Sequence, residues 1–250
     1  MQTLDRVDIL LSAVFIALGG LTKGFVGLGM PLVAVPLLSY LMPVPQALAV
    51  MVMPMLLTNL YQMVAGGNMV PAFRRLWPLL IALAAGIPAG AYLLASLKGS
   101  ILSLVLGTLV ILIGLSGFFQ QRVLIASKRE KWAGPVVGLA AGILGGIAGL
   151  FGPLLAIYFL ALRLPKDSFI GAVGTSFVFA TIPLVVSLVS FGILGPQEFL
   201  YSSLGLIPAF AGLMAGQRVR AWISQELFRK ALLVTLVVTG LNLVQRGLLG

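Results

Sequence analysis

The chain has 250 residues, of which 60% are hydrophobic and 9% charged, with a mean hydropathy of +1.14 and a formal net charge of +10. A soluble domain carries about 25% charged residues, so this composition excludes a soluble globular protein and requires an integral membrane one. The absence of cysteine and histidine excludes disulfides, thiolate metal sites and the commonest neutral-pH base, and the basic residues sit in short gaps between apolar runs, where membrane orientation explains them better than nucleic acid.

Eight apolar segments follow one another, at roughly 8–38, 44–65, 75–97, 100–121, 133–162, 167–190, 199–217 and 228–246. Each is predicted to be helical, because backbone polar groups in lipid must be satisfied within the segment. No cleavable signal precedes the first: Met1 to Asp8 carries one arginine against two aspartates, so the first segment is expected to be retained. Inside it runs Gly20-Leu21-Thr22-Lys23-Gly24-Phe25-Val26-Gly27-Leu28-Gly29-Met30-Pro31-Leu32-Val33-Ala34. Glycine and proline in an uncharged apolar stretch break a helix, so Gly24, Gly27 and Gly29 mark an interruption, with Pro31 and Pro36 fixing where the helix restarts.

The second segment carries the neutral polar residues Thr58, Asn59 and Gln62, and the third carries Ala85-Gly86-Ile87-Pro88-Ala89-Gly90. After the fourth segment the basic stretch 122–132 separates an N-terminal half, 1–121, from a C-terminal half, 133–250. The fifth segment repeats the signature 122 residues on, as Gly142-Ile143-Leu144-Gly145-Gly146-Ile147-Ala148-Gly149-Leu150-Phe151-Gly152-Pro153-Leu154-Leu155-Ala156, with seven of fifteen positions identical. Gly134, Gly138, Gly142 and Gly146 recur every four residues, a face on which another backbone can approach closely. The sixth segment brings Thr175, Ser176 and Thr181, and Ala211-Gly212-Leu213-Met214-Ala215-Gly216 in the seventh answers the third at an offset of 126. Two matched sets of four segments are a duplication.

Basic residues orient the halves. Eight full crossings divide them eight against seven, no bias at all, whereas broken or re-entrant first and fifth segments divide them twelve against three, leaving only Arg6, Lys98 and Arg246 on the far side. This second arrangement makes the Lys128-Arg129-Glu130-Lys131 linker cytoplasmic, puts both termini outside and inverts the halves. The expected fold is therefore an all-α integral membrane protein of two inverted four-segment repeats.

A helix that restarts inside the membrane leaves its first N–H groups without intrahelical partners and presents a positive dipole end, which suits a small anion. Lys23 adds a cation within an apolar segment, placed either at the anion or snorkelling to an interface. Asn59, Gln62, Thr175 and Ser176 offer neutral donors to oxyanion oxygens, with Gly149, Gly152 and Pro153 shaping the second break. No carboxylate lies in the middle of a span, so a proton relay or cation site is not expected, and catalysis, cofactors and metals have no support in the residues present.

These residues resemble the sulfite exporter TauE/SafE family of membrane permeases, built of two similar halves. The resemblance is carried by Lys23-Gly24-Phe25-Val26-Gly27-Leu28-Gly29, Val33-Ala34-Val35-Pro36-Leu37-Leu38, Asn59-Leu60-Tyr61-Gln62, Gly145 to Pro153 with Tyr158, and Thr175-Ser176. Many relatives have three consecutive glycines where this chain reads Gly27-Leu28-Gly29 and Gly149-Leu150-Phe151-Gly152, a departure that bears on substrate. The resemblance implies transport of sulfite, thiosulfate or organosulfonates across a bacterial cytoplasmic membrane. A passive anion channel and a non-transporting scaffold are the alternatives; the expected partners are a small anion, lipid and, as one option, further copies of the chain.

Overall fold

The computed structural model describes residues 6–66, 69–116, 127–162, 166–219, 222 and 224–249. Arg122, Arg163 and Arg220 of the charge count, and residues 122–126 of the basic stretch, lie outside the described residues. The described residues form helices α1 (Arg6–Val26), α2 (Met30–Leu38), α3 (Val44–Gly66), α4 (Met69–Ser96), α5 (Gly99–Ser116), α6 (Ser127–Ala148), α7 (Phe151–Ala161), α8 (Lys166–Ser190), α9 (Pro196–Leu204), α10 (Leu206–Val219) and α11 (Gln225–Leu249), with no strand among them. Among the described residues six stretches are long and apolar enough to cross a membrane: Val7–Val26, Val44–Ala65, Phe73–Ser96, Gly171–Ser190, Pro196–Val219 and Leu232–Leu249. Apolar side chains such as Leu10, Ile81, Val136, Ile207 and Val238 are exposed, which water would penalise and acyl chains would not.

Three helix boundaries differ from the sequence reading. The Lys128-Arg129-Glu130-Lys131 stretch lies in the first turns of α6, and Glu226, ahead of the expected start of the eighth segment at 228, lies in the first turn of α11. Carboxylates stabilise that end of a helix, and Ser127-Lys128-Arg129-Glu130 has the spacing of a capping box. At α11 the Leu227 N–H donates to the Ser224 hydroxyl at 3.3 Å. The seventh segment divides into α9 and α10 at Gly205. Pro208, four residues after Leu204, cannot donate to the Leu204 carbonyl, so the helix ladder fails there.

The helices group into two compact units that each draw on both sequence halves. The first holds α1, α2, α3 as far as Pro54, α5, and α9 to α11. Here α1 lies along α10, and α5 along α11. A Cβ added at Gly20 or Gly24 would strike the carbonyl of Ala209 or Leu213; one added at Gly212 or Gly216 would strike that of Ala17 or Leu21. These glycines let two backbones meet at close range, which substitutes for the hydrophobic driving force that lipid does not supply.

The second unit holds α3 from Met55, with α4, α6, α7 and α8. Its tightest pair is α4 against α6. Gly142 and Gly146 face the carbonyls of Leu83 and Ile87, while Gly86 and Gly90 face those of Leu139 and Ile143. Shift α1 by 122 residues and α10 back by 126, and every partner in this set is the counterpart of one in the first unit. The four-residue glycine ladder on α6 is seated mainly on α4: Gly138 meets Leu79, whereas Gly134 meets the Tyr158 hydroxyl at 3.1 Å from an added Cβ.

Candidate functional site: two glycine breaks and a buried polar cluster

Helix α1 ends where Gly27 turns left-handed, at φ 88°, and its N–H closes on the Lys23 carbonyl at 2.7 Å. Gly29, also left-handed at φ 89°, precedes α2, whose first turn contains Pro31 and has no side-chain cap. Helix α6 ends the same way: Gly149 has φ 72°, and its N–H meets the Gly145 carbonyl at 2.7 Å. Helix α7 then starts at Phe151, again without a side-chain cap, with Pro153 in its first turn. Left-handed backbone is the reason for glycine at 27, 29 and 149, since a Cβ strains that conformation. Leu150, Phe151 and Gly152 are buried, so α7 starts inside the protein, whereas at the start of α2 Met30 is buried and Gly27, Leu28, Gly29 and Pro31 are half-buried.

Two predicted residues have other reasons to be where they are. Gly24 is required by α10 rather than by the break, and Pro36 lies well inside α2, past its restart. Lys23 occupies the last turn of α1 and is 4% exposed. A cation there meets the negative end of the helix dipole. Beside it, the buried Thr22 hydroxyl donates to the Leu18 carbonyl at 2.9 Å.

In the second unit α3 and α8 lie close enough that a Cβ at Gly174 would collide with the backbone of Met63 and Gln62. Asn59, 2% exposed, donates from Nδ2 to Thr181 Oγ1 at 3.1 Å, and Thr181 donates to the Phe177 carbonyl at 2.7 Å. The hydroxyls of Thr175 and Ser176 are fully buried and have no hydrogen-bond partner among the described residues. The next residue, Phe177, packs edge-on against Phe151, with ring centroids 4.9 Å apart, and lies 3.3 Å from a Cβ added at Gly152. Ser176 directly precedes Phe177 in α8, and Thr175 lies one residue earlier. The predicted residues fall into two groups, Lys23, Gly24, Gly27, Gly29, Pro31 and Pro36 in the first unit, and Asn59, Gln62, Gly149, Gly152, Pro153, Thr175 and Ser176 in the second.

The sequence reading missed a polar cleft at the N-terminal ends of α4 and α6. Arg75 forms a bidentate ion pair with Glu130, Nε to Oε1 at 2.8 Å and a second guanidinium nitrogen to Oε2 at 3.0 Å, while the Tyr158 hydroxyl donates to the Glu130 carbonyl at 3.4 Å. These side chains line a cavity of about 230 Å³ with Pro78, Leu79 and Pro135. Opposite charges 55 positions apart give no local signal for such a pair. The first unit has a cavity of about 190 Å³ that includes Ser12, Ala13, Tyr201, Leu204 and Gly205. These stand at offsets of 122 and 126 from Gly134, Pro135, Arg75, Pro78 and Leu79, and the cleft is charged in the second unit and mainly apolar in the first.

Fold and site together define a multi-pass helical membrane protein with two glycine breaks and buried hydroxyl groups. The family model described as sulfite exporter TauE/SafE matches residues 12–243, and the chain belongs to that family, one of membrane transporters. No curated protein and no solved structure matches the chain.

Proposed function

We propose that this protein is a secondary transporter of small sulfur-containing anions such as sulfite, thiosulfate or organosulfonates, working by alternating access between two inverted repeats in a bacterial cytoplasmic membrane. The observation that carries this reading is that the Thr175 and Ser176 hydroxyls of α8 are fully buried and have no hydrogen-bond partner among the described residues. A buried hydroxyl without a partner costs roughly 1–3 kcal/mol, an expense that a bound oxyanion with several acceptor oxygens removes.

In this reading Lys23 and the N-terminal ends of α2 and α7 supply the positive potential. Gly24, Gly27, Gly29, Gly149 and Gly152 let backbone approach the anion, Asn59, Gln62, Thr175 and Ser176 orient its oxygens, and Pro31, Pro36 and Pro153 stiffen the restarted helices. Anion selectivity follows because hydroxyls and amide N–H groups donate, and the site holds no carboxylate to attract a cation. The matched glycine contacts in the α1–α10 and α4–α6 pairs support the duplication, and the twelve-to-three division of basic residues supports its inversion.

Counterflow in proteoliposomes tests the reading. Vesicles preloaded with unlabelled thiosulfate should accumulate external radiolabelled thiosulfate transiently and faster than empty ones. Flux that rises without saturation and ignores the internal anion would make the protein a channel, and an absence of flux for sulfite, thiosulfate and sulfonates alike would leave a scaffold.

A further inference from the structure

The Asn59–Thr181 hydrogen bond joins two positions separated by 122 residues, the same offset that relates the two glycine signatures. Helices α3 and α8 begin at Val44 and Lys166, also 122 apart, so Asn59 and Thr181 are counterparts in the duplicated chain. Counterparts that touch can form a satisfied pair only if one donates and the other accepts. Here the donor is a carboxamide and the acceptor a hydroxyl.

Which end of the carboxamide meets the hydroxyl is decided by the proton of Thr181. A hydroxyl carries one proton, and that of Thr181 goes to the Phe177 carbonyl one turn back, at 2.7 Å, the usual back-bond of a helical threonine. Thr181 Oγ1 is left as an acceptor towards α3, so it takes Nδ2 of Asn59 and turns Oδ1 away. One hydrogen of Nδ2 goes to Thr181 and the second is the one to donate to an anion; in the opposite orientation an oxygen stands there, which would repel it.

On the reading of Asn59 as an anion ligand, we infer that Thr181 is the positioning residue that fixes the donor end of the Asn59 carboxamide, and so sets anion affinity without touching the anion. The bond network runs from Asn59 to Thr181 to the Phe177 carbonyl, and the Phe177 ring packs on Phe151 at the start of α7. The orientation of one amide on α3 is thereby tied to the second glycine break. Neither residue can be exchanged for a copy of its counterpart without losing the pairing: two threonines lack the reach, and an asparagine at 181 loses the back-bond that commits the hydroxyl proton.

Kinetics of radiolabelled thiosulfate counterflow, measured on full-length protein in liposomes, read this out. Thr181→Val should raise KM about tenfold, the scale of one hydrogen bond to a charged group, with kcat changed far less. Thr181→Ser keeps both bonds and should restore the KM of the unmodified protein. In an Asn59→Ala background, Thr181→Val should add no further increase in KM. Thr181→Ala serves in place of valine where the valine protein does not fold. If Asn59→Ala raises KM but neither Thr181→Val nor Thr181→Ala does, Thr181 is not a positioning residue while the site stands. Failure of Thr181→Ser to restore KM also overturns the inference. If Asn59→Ala leaves KM unchanged, Asn59 is not a ligand, and the site reading falls together with the inference.

Discussion

Lys23 shows how residue-level chemistry and burial combine. Its side chain is 4% exposed although it sits in an uncharged apolar run, and a cation placed so deep normally faces a cavity, a counter-ion or a helix carbonyl end. If it supplies the charge that an anion needs, Lys23→Ala should cut kcat/KM for sulfite or thiosulfate by about a hundredfold, the cost of removing one charged partner from a dry site. Undiminished transport by a well-folded Lys23→Ala protein would remove Lys23 from the site. Arg75 and Glu130 make a different kind of charge, a bidentate pair at the mouth of a cleft, with the guanidinium side chain 48% exposed and the carboxylate 18% exposed. Exposed pairs contribute about 0.2–1 kcal/mol, so a double-mutant cycle through Arg75→Gln and Glu130→Gln should show a coupling of about that size, falling as salt rises.

At the scale of elements, the glycine contacts make the sharpest demand. Gly20 and Gly142 are offset counterparts, and each has a partner carbonyl where a Cβ would sit. Gly20→Val and Gly142→Val should therefore destabilise the protein by similar amounts, about 1–3 kcal/mol or more, as overpacking does. Gly99, at the start of α5, has nothing within 4 Å of an added Cβ, and Gly99→Ala should stay within about 0.5 kcal/mol of the parent. Thermal unfolding in one detergent compares all three. Much of this was legible beforehand: four-residue glycine spacing marks a close helix contact, and glycine beside proline marks a break, because both signals are local in sequence. The partner of each helix was not legible. Nothing in Gly142 says that its neighbour is Leu83, and the split at Gly205 was hidden because Pro208 acts on a carbonyl four residues earlier.

For the whole molecule, topology is the decisive property. The chain contains no cysteine, so single introduced cysteines report accessibility without background. Inversion of the halves predicts that Lys98→Cys reacts with a membrane-impermeant maleimide added outside cells, and that Arg218→Cys reacts only after permeabilisation. Equal reactivity of the two from outside would sink the inverted arrangement. Membrane class and helix content were readable from composition alone, because lipid leaves a chain few ways to satisfy its backbone. The hydroxyl cluster was readable only in part: Asn59, Thr175 and Ser176 stand out as polar groups in apolar sequence, but Thr181 gains its importance from a proton committed within its own helix, which residue type does not reveal.

The glycine pairs have a mechanical consequence. On α1, Gly20 and Gly24 engage α10 carbonyls one helical turn apart, so the contact works as a detent. A slide of one or two residues would drive a side chain into a carbonyl, and the next register of the same spacing lies about 6 Å away, four residues at 1.5 Å each. The α4–α6 pair is toothed in the same way. Neither pair can creep, so each holds its register as one piece, and the glycine breaks at 27–29 and 149–150 lie outside these toothed contacts.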